Sequence, residues 1–87
     1  MRRLASTIDA IVVFRGSSKP LPYKFRYTDI DGQSREVLVS RIFLAEKSTV
    51  AGSPVYSYDC QSTIDGRERR YQLKYHPDKC FWELHKI

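Results

Sequence analysis

Cysteine and long apolar runs are both scarce in this sequence, and their scarcity excludes two classes of protein. Two cysteines are too few for the disulfide framework that small secreted domains use. No apolar run approaches the roughly 18 residues of a membrane span. The short run near the N-terminus is interrupted by Asp9 and ends at Arg15, which is unlike a signal peptide. We therefore expect a cytoplasmic protein with reduced thiols and no membrane contact.

Histidine and carboxylate residues are too few and too scattered to indicate catalysis. His76, Cys80, His85 and Cys60 are residue types that bind zinc, but their spacing lacks the paired clips of structural zinc sites. A thiol nucleophile needs an exposed, electropositive setting, whereas Cys60 falls at a packing position. Neither a serine nucleophile elbow nor a phosphate-binding loop is present. We predict a protein that is not an enzyme and that has no metal and no cofactor.

Length and composition indicate a single domain spanning residues 1–87. The chain is 41% hydrophobic and 29% charged, which is too apolar for a disordered segment. A chain of this size buries only about 60–65% of its unfolded surface, so its core is modest, and we expect a monomer or a homodimer. The formal net charge of +5 permits binding to nucleic acid, although many basic proteins bind none.

The stretch from Val55 to His76 carries the clearest structural signal, because two strand-like runs flank Asp65-Gly66. Asp-Gly between alternating runs is typical of a β-hairpin with a two-residue turn. Such a turn pairs the apolar residues on one face: Cys60 with Tyr71, Tyr58 with Leu73 and Tyr56 with Tyr75. A slip of one residue would place each aromatic opposite a polar group. Turn chemistry and register therefore agree.

Alternation predicts three further strands, each with one apolar face. Ile8 to Arg15 is rich in β-branched residues, which favours a strand over a helix capped at Ser6. Tyr23 to Asp29 and Cys80 to Ile87 are the other two. The predicted inner faces consist of Ile8, Ala10, Val12 and Phe14 in the first strand, of Tyr23, Phe25 and Tyr27 in the second, and of Cys80, Trp82 and Leu84 in the last.

Two local structures have competing interpretations. A three-residue loop, Ile30-Asp31-Gly32, sets Phe25 against Val37 and Tyr23 against Val39, and we prefer it to a two-residue loop because it keeps the valines on the apolar face.

Residues 35–45 form either a long strand that bends near Ser40-Arg41 and is buried on both sides beyond the bend, or a strand followed by a short helix from Ile42 to Lys47. The bent strand is favoured, since the helix would be barely two turns long.

Five or six short strands with turns between them predict an all-β fold, a small antiparallel barrel. The pattern Tyr58-x-Cys60, Ile64-x-Gly66-Arg67-Glu68, Tyr71-x-Leu73 and Phe81-Trp82 resembles a family of short uncharacterised bacterial proteins with a small SH3-like barrel. Arg41-Ile42 before an apolar run is also similar, and the resemblance covers about the C-terminal half. It implies an SH3-like fold and a bacterial cytoplasmic setting. It carries over no catalytic or binding residues.

Four cations are predicted to lie on outer strand faces: Lys24, Arg26, Arg70 and Lys74. Cations on a β surface neutralise phosphates without regard to sequence, and exposed aromatics such as Phe81 can stack on bases. Most tyrosines are needed for the core, and the same charges also fit an ordinary solvated face. We predict a binding module with nucleic acid as the first candidate ligand. The alternative is a protein–protein interaction adaptor that self-associates through a strand edge.

Overall fold

The computed structural model of the protein describes residues 3–16 and 19–86, which form seven strands in one antiparallel sheet. The strands are β1 (Arg3–Val13), β2 (Leu21–Thr28), β3 (Ser34–Leu38), β4 (Arg41–Val50), β5 (Ser53–Ile64), β6 (Arg67–His76) and β7 (Phe81–Lys86). Their order in the sheet is β3-β2-β1-β7-β6-β5-β4. The described part of the chain contains no helix long and apolar enough to cross a membrane. The all-β prediction is confirmed.

The strand count of five or six was too low because the long bent strand divides in two. Its first part, up to Leu38, pairs with β2, and its second part, from Arg41, pairs with β5. Val39 and Ser40 alone connect β3 and β4, although these strands lie at opposite edges of the sheet. The sheet must therefore curl until its two edges approach each other. It is not closed, since β3 and β4 share no ladder among the described pairings.

Both predicted hairpin registers are confirmed. Cys60 pairs with Tyr71 across β5 and β6, and positive φ angles of 53° at Asp65 and 76° at Gly66 fit a type I′ turn. Phe25 pairs with Val37 across β2 and β3. Five residues separate β2 from β3, and the backbone N–H of Asp29 donates to the carbonyl of Gln33 at 2.9 Å. Inside this bond lies the predicted three-residue loop, whose Gly32 has a φ of 82°.

A β-bulge in β2 corrects the prediction that Tyr23 points inward. Ile11 pairs with Lys24 but Val12 pairs with Pro22, so Tyr23 is an extra residue in its strand. A bulge reverses the alternation beyond it, which leaves Pro22 buried and Tyr23 52% exposed. Phe14, predicted to face inward, lies beyond the end of β1 and is also exposed.

A second bulge lies at Phe43 in β4, between the pairs Ile42 with Cys60 and Leu44 with Asp59. The strand runs through the whole segment for which a helix was the alternative, so the helix was wrong. Burial on both sides was also wrong, because β4 is an edge strand and both Phe43 and Leu44 are exposed.

The core lies on the inner face of the curled sheet. Its members are Ile8, Phe25, Tyr27, Val37, Tyr58, Cys60, Tyr71, Leu73, Trp82 and Leu84. The inward orientation of Trp82 is confirmed, and its ring stacks on Tyr75 at 4.9 Å. The hydroxyl of Tyr58 donates to the carbonyl of Pro20, which ties the loop before β2 to the core. Cys80, predicted to face inward, is exposed in the turn before β7 with a φ of 57°.

Candidate nucleic-acid interface

The four predicted phosphate-binding cations fall into two separate pairs. Lys24 and Arg26 lie on β2, and Arg70 and Lys74 lie on β6. β1 and β7 stand between these strands, so the pairs are about 14 Å apart along the sheet at the usual strand spacing of about 4.8 Å. The structure does not bring all four cations into one patch.

The cations on β2 are already paired with carboxylates. Nζ of Lys24 lies 3.0 Å from Oε1 of Glu36, and Nη2 of Arg26 lies 2.7 Å from Oδ2 of Asp9. The hydrogen bond from Lys24 lowers the pKa of Glu36, and the hydrogen bond to Asp9 raises the pKa of Arg26. A phosphate would have to compete with these carboxylates. This face of the sheet has no net charge to offer.

Arg70 has a different environment, because it lies over an exposed aromatic ring. Its guanidinium carbon is 4.2 Å from the centroid of Phe43, and that of Arg41 is 4.9 Å from the same centroid. Arg41 pairs with Gln61, which in turn pairs with Arg70, so the two arginines lie in one row across β4, β5 and β6. The bulge in β4 places Phe43 beside that row.

Arg41, Phe43, Arg70 and Lys74 together form what we call the cationic patch. Lys74 lies on the same face of β6 as Arg70, opposite Ser57. Within the described chain, no carboxylate forms an ion pair with any of the three cations. Among the described residues, the three positive charges of the patch therefore form no ion pair; Glu83, the neighbour of Lys74 on β7, pairs instead with His76 and His85.

Arg41 and Phe43 were absent from the predicted site. Pairing β4 with β5 would have placed Arg41 beside Arg70, but the strand order was not known from the sequence. Phe43 faces the same side as Arg41 by alternation, but its exposure follows from the position of β4 at the edge of the sheet, which no residue in the continuous apolar run marks.

Phe81 contributes to a neighbouring cluster where β6 ends and β7 begins. Its ring stacks on His76 with centroids 4.5 Å apart, and Nε2 of His76 lies 2.6 Å from Oε1 of Glu83. His85 approaches the same oxygen at 3.6 Å. The imidazole of His76 covers one face of the Phe81 ring. Phe81 is therefore only partly exposed.

The zinc and thiol candidates are separated. Cys60 is buried, and burial raises the pKa of its thiol to about 12. Cys80 is exposed, and its Sγ lies 3.5 Å from the carbonyl oxygen of Pro77. Among the residues that the structure describes, no three His, Cys, Asp or Glu side chains are grouped as metal ligands.

Comparisons with protein-family models, with curated proteins and with solved structures find no match to this chain. The resemblance to short bacterial proteins with an SH3-like barrel stays a prediction.

Proposed function

We propose that the protein is a non-enzymatic binding module that binds single-stranded nucleic acid through the cationic patch, without strong sequence preference. One observation carries the proposal. The guanidinium groups of Arg41 and Arg70 share the ring of Phe43, and no described carboxylate forms an ion pair with either.

Contact with the ring restrains both guanidinium groups before a ligand arrives. A cation over an aromatic face is stabilised by about 0.5–1 kcal/mol at an exposed site. The two charges also repel each other, and a phosphate between them would replace repulsion with attraction. Arginine suits this role because its planar fork of donors matches phosphate oxygens.

The exposed part of Phe43 is the proposed contact for a base. Phe43 is 39% exposed, and a base that stacks on its ring would take the place of one of the two guanidinium groups. Stacking of a base on an aromatic side chain contributes about 1–3 kcal/mol and tolerates any base. Lys74 lies four residues beyond Arg70 on the same strand face, or about 13 Å at the usual rise, so it would contact a more distant phosphate of the same strand.

The test is binding of a fluorescent single-stranded oligonucleotide, measured by anisotropy at several salt concentrations. The double variant R41Q/R70Q should bind at least about tenfold more weakly, with a shallower dependence on salt because fewer phosphates are neutralised. The matched control is K24Q/R26Q, which also removes two positive charges but from ion pairs. It should change affinity less than about twofold, a difference of under about 0.5 kcal/mol.

Two further measurements sharpen this test. F43L keeps the residue apolar but removes the ring, and it should weaken binding to single strands about fivefold or more through lost stacking. A duplex of the same sequence should gain nothing from Phe43. No binding at low salt would overturn the proposal, and so would equal losses in the two double variants, since only total charge would then matter.

The adaptor remains a second candidate because β4 is an edge strand, of which one carbonyl, that of Ala45, accepts a hydrogen bond from Nζ of Lys19 at 3.2 Å. This strand has ten residues and occupies the end of the sheet, and unpaired backbone groups at an edge can accept another strand. Hydrogen exchange at increasing protein concentration tests this candidate. Slower exchange confined to residues 41–50 would support strand addition, and unchanged exchange there would contradict it.

The finer description of the fold is also a proposal, namely an SH3-like barrel in a bacterial cytoplasmic protein. The short crossing from β3 to β4 supports the barrel in this proposal. The backbone N–H of Ser40 donates to the carbonyl of Gln61 at 3.1 Å, and the backbone N–H of Val39 donates to the carbonyl of Tyr23 at 2.9 Å. An experimental structure whose β3 and β4 edges are far apart would contradict it.

A further inference from the structure

We infer that the outer face of β1, β2 and β3 joins two copies of this chain face to face. This inference concerns the side of the sheet away from the cationic patch and does not depend on nucleic-acid binding. It rests on an exposed apolar patch, on the charges around it, and on a groove beside it.

The apolar patch consists of Ile11, Tyr23 and Leu38. Lys24 pairs with Ile11 on one side and with Leu38 on the other, so two aliphatic side chains lie in one row across three strands. The bulge adds Tyr23 next to Lys24. The exposed fractions are 59% for Ile11, 52% for Tyr23 and 53% for Leu38. Isolated exposed apolar residues are common, but these three lie on neighbouring strands of one face, on either side of Lys24 or next to it, and such a grouping favours an interaction surface.

The charges around this patch favour a second copy as its occupant. The ion pairs of Lys24 with Glu36 and of Arg26 with Asp9 give two positive and two negative charges, a local net charge of zero. The whole chain carries +5, so two copies repel each other elsewhere. A two-fold interface must complement itself, and a surface with equal numbers of both charges can do so.

A groove beside the patch supplies the matching shape. It has a volume of about 220 Å³ and is lined by Ile11, Lys24, Arg26 and Glu36 among others. Small-molecule sites usually measure about 300–1,000 Å³, so this groove better fits a protruding side chain. Tyr23 lies on the same face and is 52% exposed. In the inferred dimer each copy inserts this tyrosine into the groove of the other.

Sedimentation equilibrium tests the inference by measuring mass from about 1 to about 500 µM protein, a range suited to a weak dimer. The mass should rise from 10.2 kDa toward twice that value. Sodium chloride near 0.5 M should preserve or strengthen the association, because screening reduces the repulsion between the two basic copies.

L38E and Y23S should each abolish the association over this range. The matched control is V50E, which introduces the same charge at a comparably exposed aliphatic residue (57% exposed) on the edge strand β4. Thermal unfolding followed by circular dichroism shows whether each variant is folded. Retention of the dimer by L38E overturns the inference, as does a wild-type mass of one chain at every concentration. Loss of association in V50E but not in L38E would assign self-association to the β4 edge instead.

The same variants separate this inference from the proposed function. L38E should keep the affinity of the wild type for a short oligonucleotide that reaches only one cationic patch. R41Q/R70Q should keep the dimer. Failure of nucleic-acid binding therefore leaves the dimer standing, and failure of the dimer leaves nucleic-acid binding standing.

Discussion

Replacement of Ser62 with alanine would remove the hydroxyl that ties β5 to the crossing between β3 and β4. Ser62 is 1% exposed, and its Oγ donates to the carbonyl of Leu38 at 2.7 Å. A hydroxyl has one proton and two acceptor sites. The hydroxyl of Tyr71 at 2.6 Å must therefore donate to Oγ, and the backbone N–H of Ser40 donates at 3.3 Å. The hydrogen-bonding capacity of Ser62 is fully used.

S62A would leave the buried hydroxyl of Tyr71 without a partner. The carbonyl of Leu38 is only partly buried and can bond to water, but Tyr71 is 3% exposed. A buried polar group left unpaired costs about 1–3 kcal/mol. We expect the free energy of unfolding to fall by about 2 kcal/mol, which lowers Tm by about 8–16 °C in a domain of this size.

A double-mutant cycle with Y71F tests the origin of this cost. Y71F alone keeps the bond from Ser62 to Leu38 and should cost about 1 kcal/mol. In S62A/Y71F no phenol is left unpaired, so the double variant should cost about 1 kcal/mol less than the sum of the two single changes. Urea unfolding, followed by circular dichroism and by Trp82 fluorescence, measures each free energy.

S57A is the matched control, since Ser57 lies on the outer face of the same strand and pairs with Lys74. It should change stability by less than about 0.5 kcal/mol. Equal effects of S62A and S57A would refute the reasoning. Additive effects in the double-mutant cycle would refute it as well.

Three shorter predictions concern the thiols, an acidic turn and the main hairpin. In the native chain only Cys80 should react with a thiol reagent near pH 8. Burial raises the pKa of Cys60 to about 12 from an ordinary 9.0, which lowers the thiolate fraction of Cys60 about 1,000-fold. A second thiol that reacts as fast as the first would contradict this prediction. The hydrogen bond from Arg35 holds the pKa of Asp29 in the folded protein below its ordinary 3.8. The ionised Asp29 therefore stabilises the fold above about pH 4, and this stabilisation is lost as the pH falls through the pKa of Asp29 in the folded protein. D29N should therefore lower Tm at pH 7 and make it less sensitive to pH below about pH 4, whereas parallel acid curves for variant and wild type would show that Asp29 is not responsible. G66A should cost about 1–2 kcal/mol in urea unfolding, because a φ of 76° strains any residue with a Cβ, and an unchanged stability would exclude the type I′ turn.

The registers could be predicted from sequence because turn chemistry and alternation constrain each other. Only one pairing around Asp65-Gly66 keeps all the apolar residues of β5 and β6 on one face, and the structure has that pairing. The bulges could not be predicted in this way. Alternation passes through Tyr23 without interruption, and the extra residue is defined only by its partners on β1. The error at Tyr23 has this cause, whereas Phe43 is exposed because β4 is an edge strand.

The predicted cations lie on the outer face, but the sequence could not show which of them are neutralised. Asp9 pairs with Arg26 across seventeen positions of the chain, because β1 and β2 are neighbours in the sheet. Arg70 lies on β6, where its neighbours toward the sheet edge come from β5 and then from β4. Strand order therefore decides which charges meet. Period-two patterns determine the face of a strand but not its neighbours.

Strand order also separates the two surfaces proposed here. β1 and β7 stand between Lys24 and Lys74, and the carboxylates of Asp9 and Glu36 fall on the β2 side of that boundary. On the outer side of β1, β2 and β3 the cations Lys24 and Arg26 are therefore paired with carboxylates, whereas the described cations of the cationic patch form no ion pair. A second basic copy is repelled least at the neutral face, and a polyanion is attracted most at the charged one. Both can be occupied at once, because a dimer formed through β1, β2 and β3 leaves the cationic patch of each copy exposed to solvent.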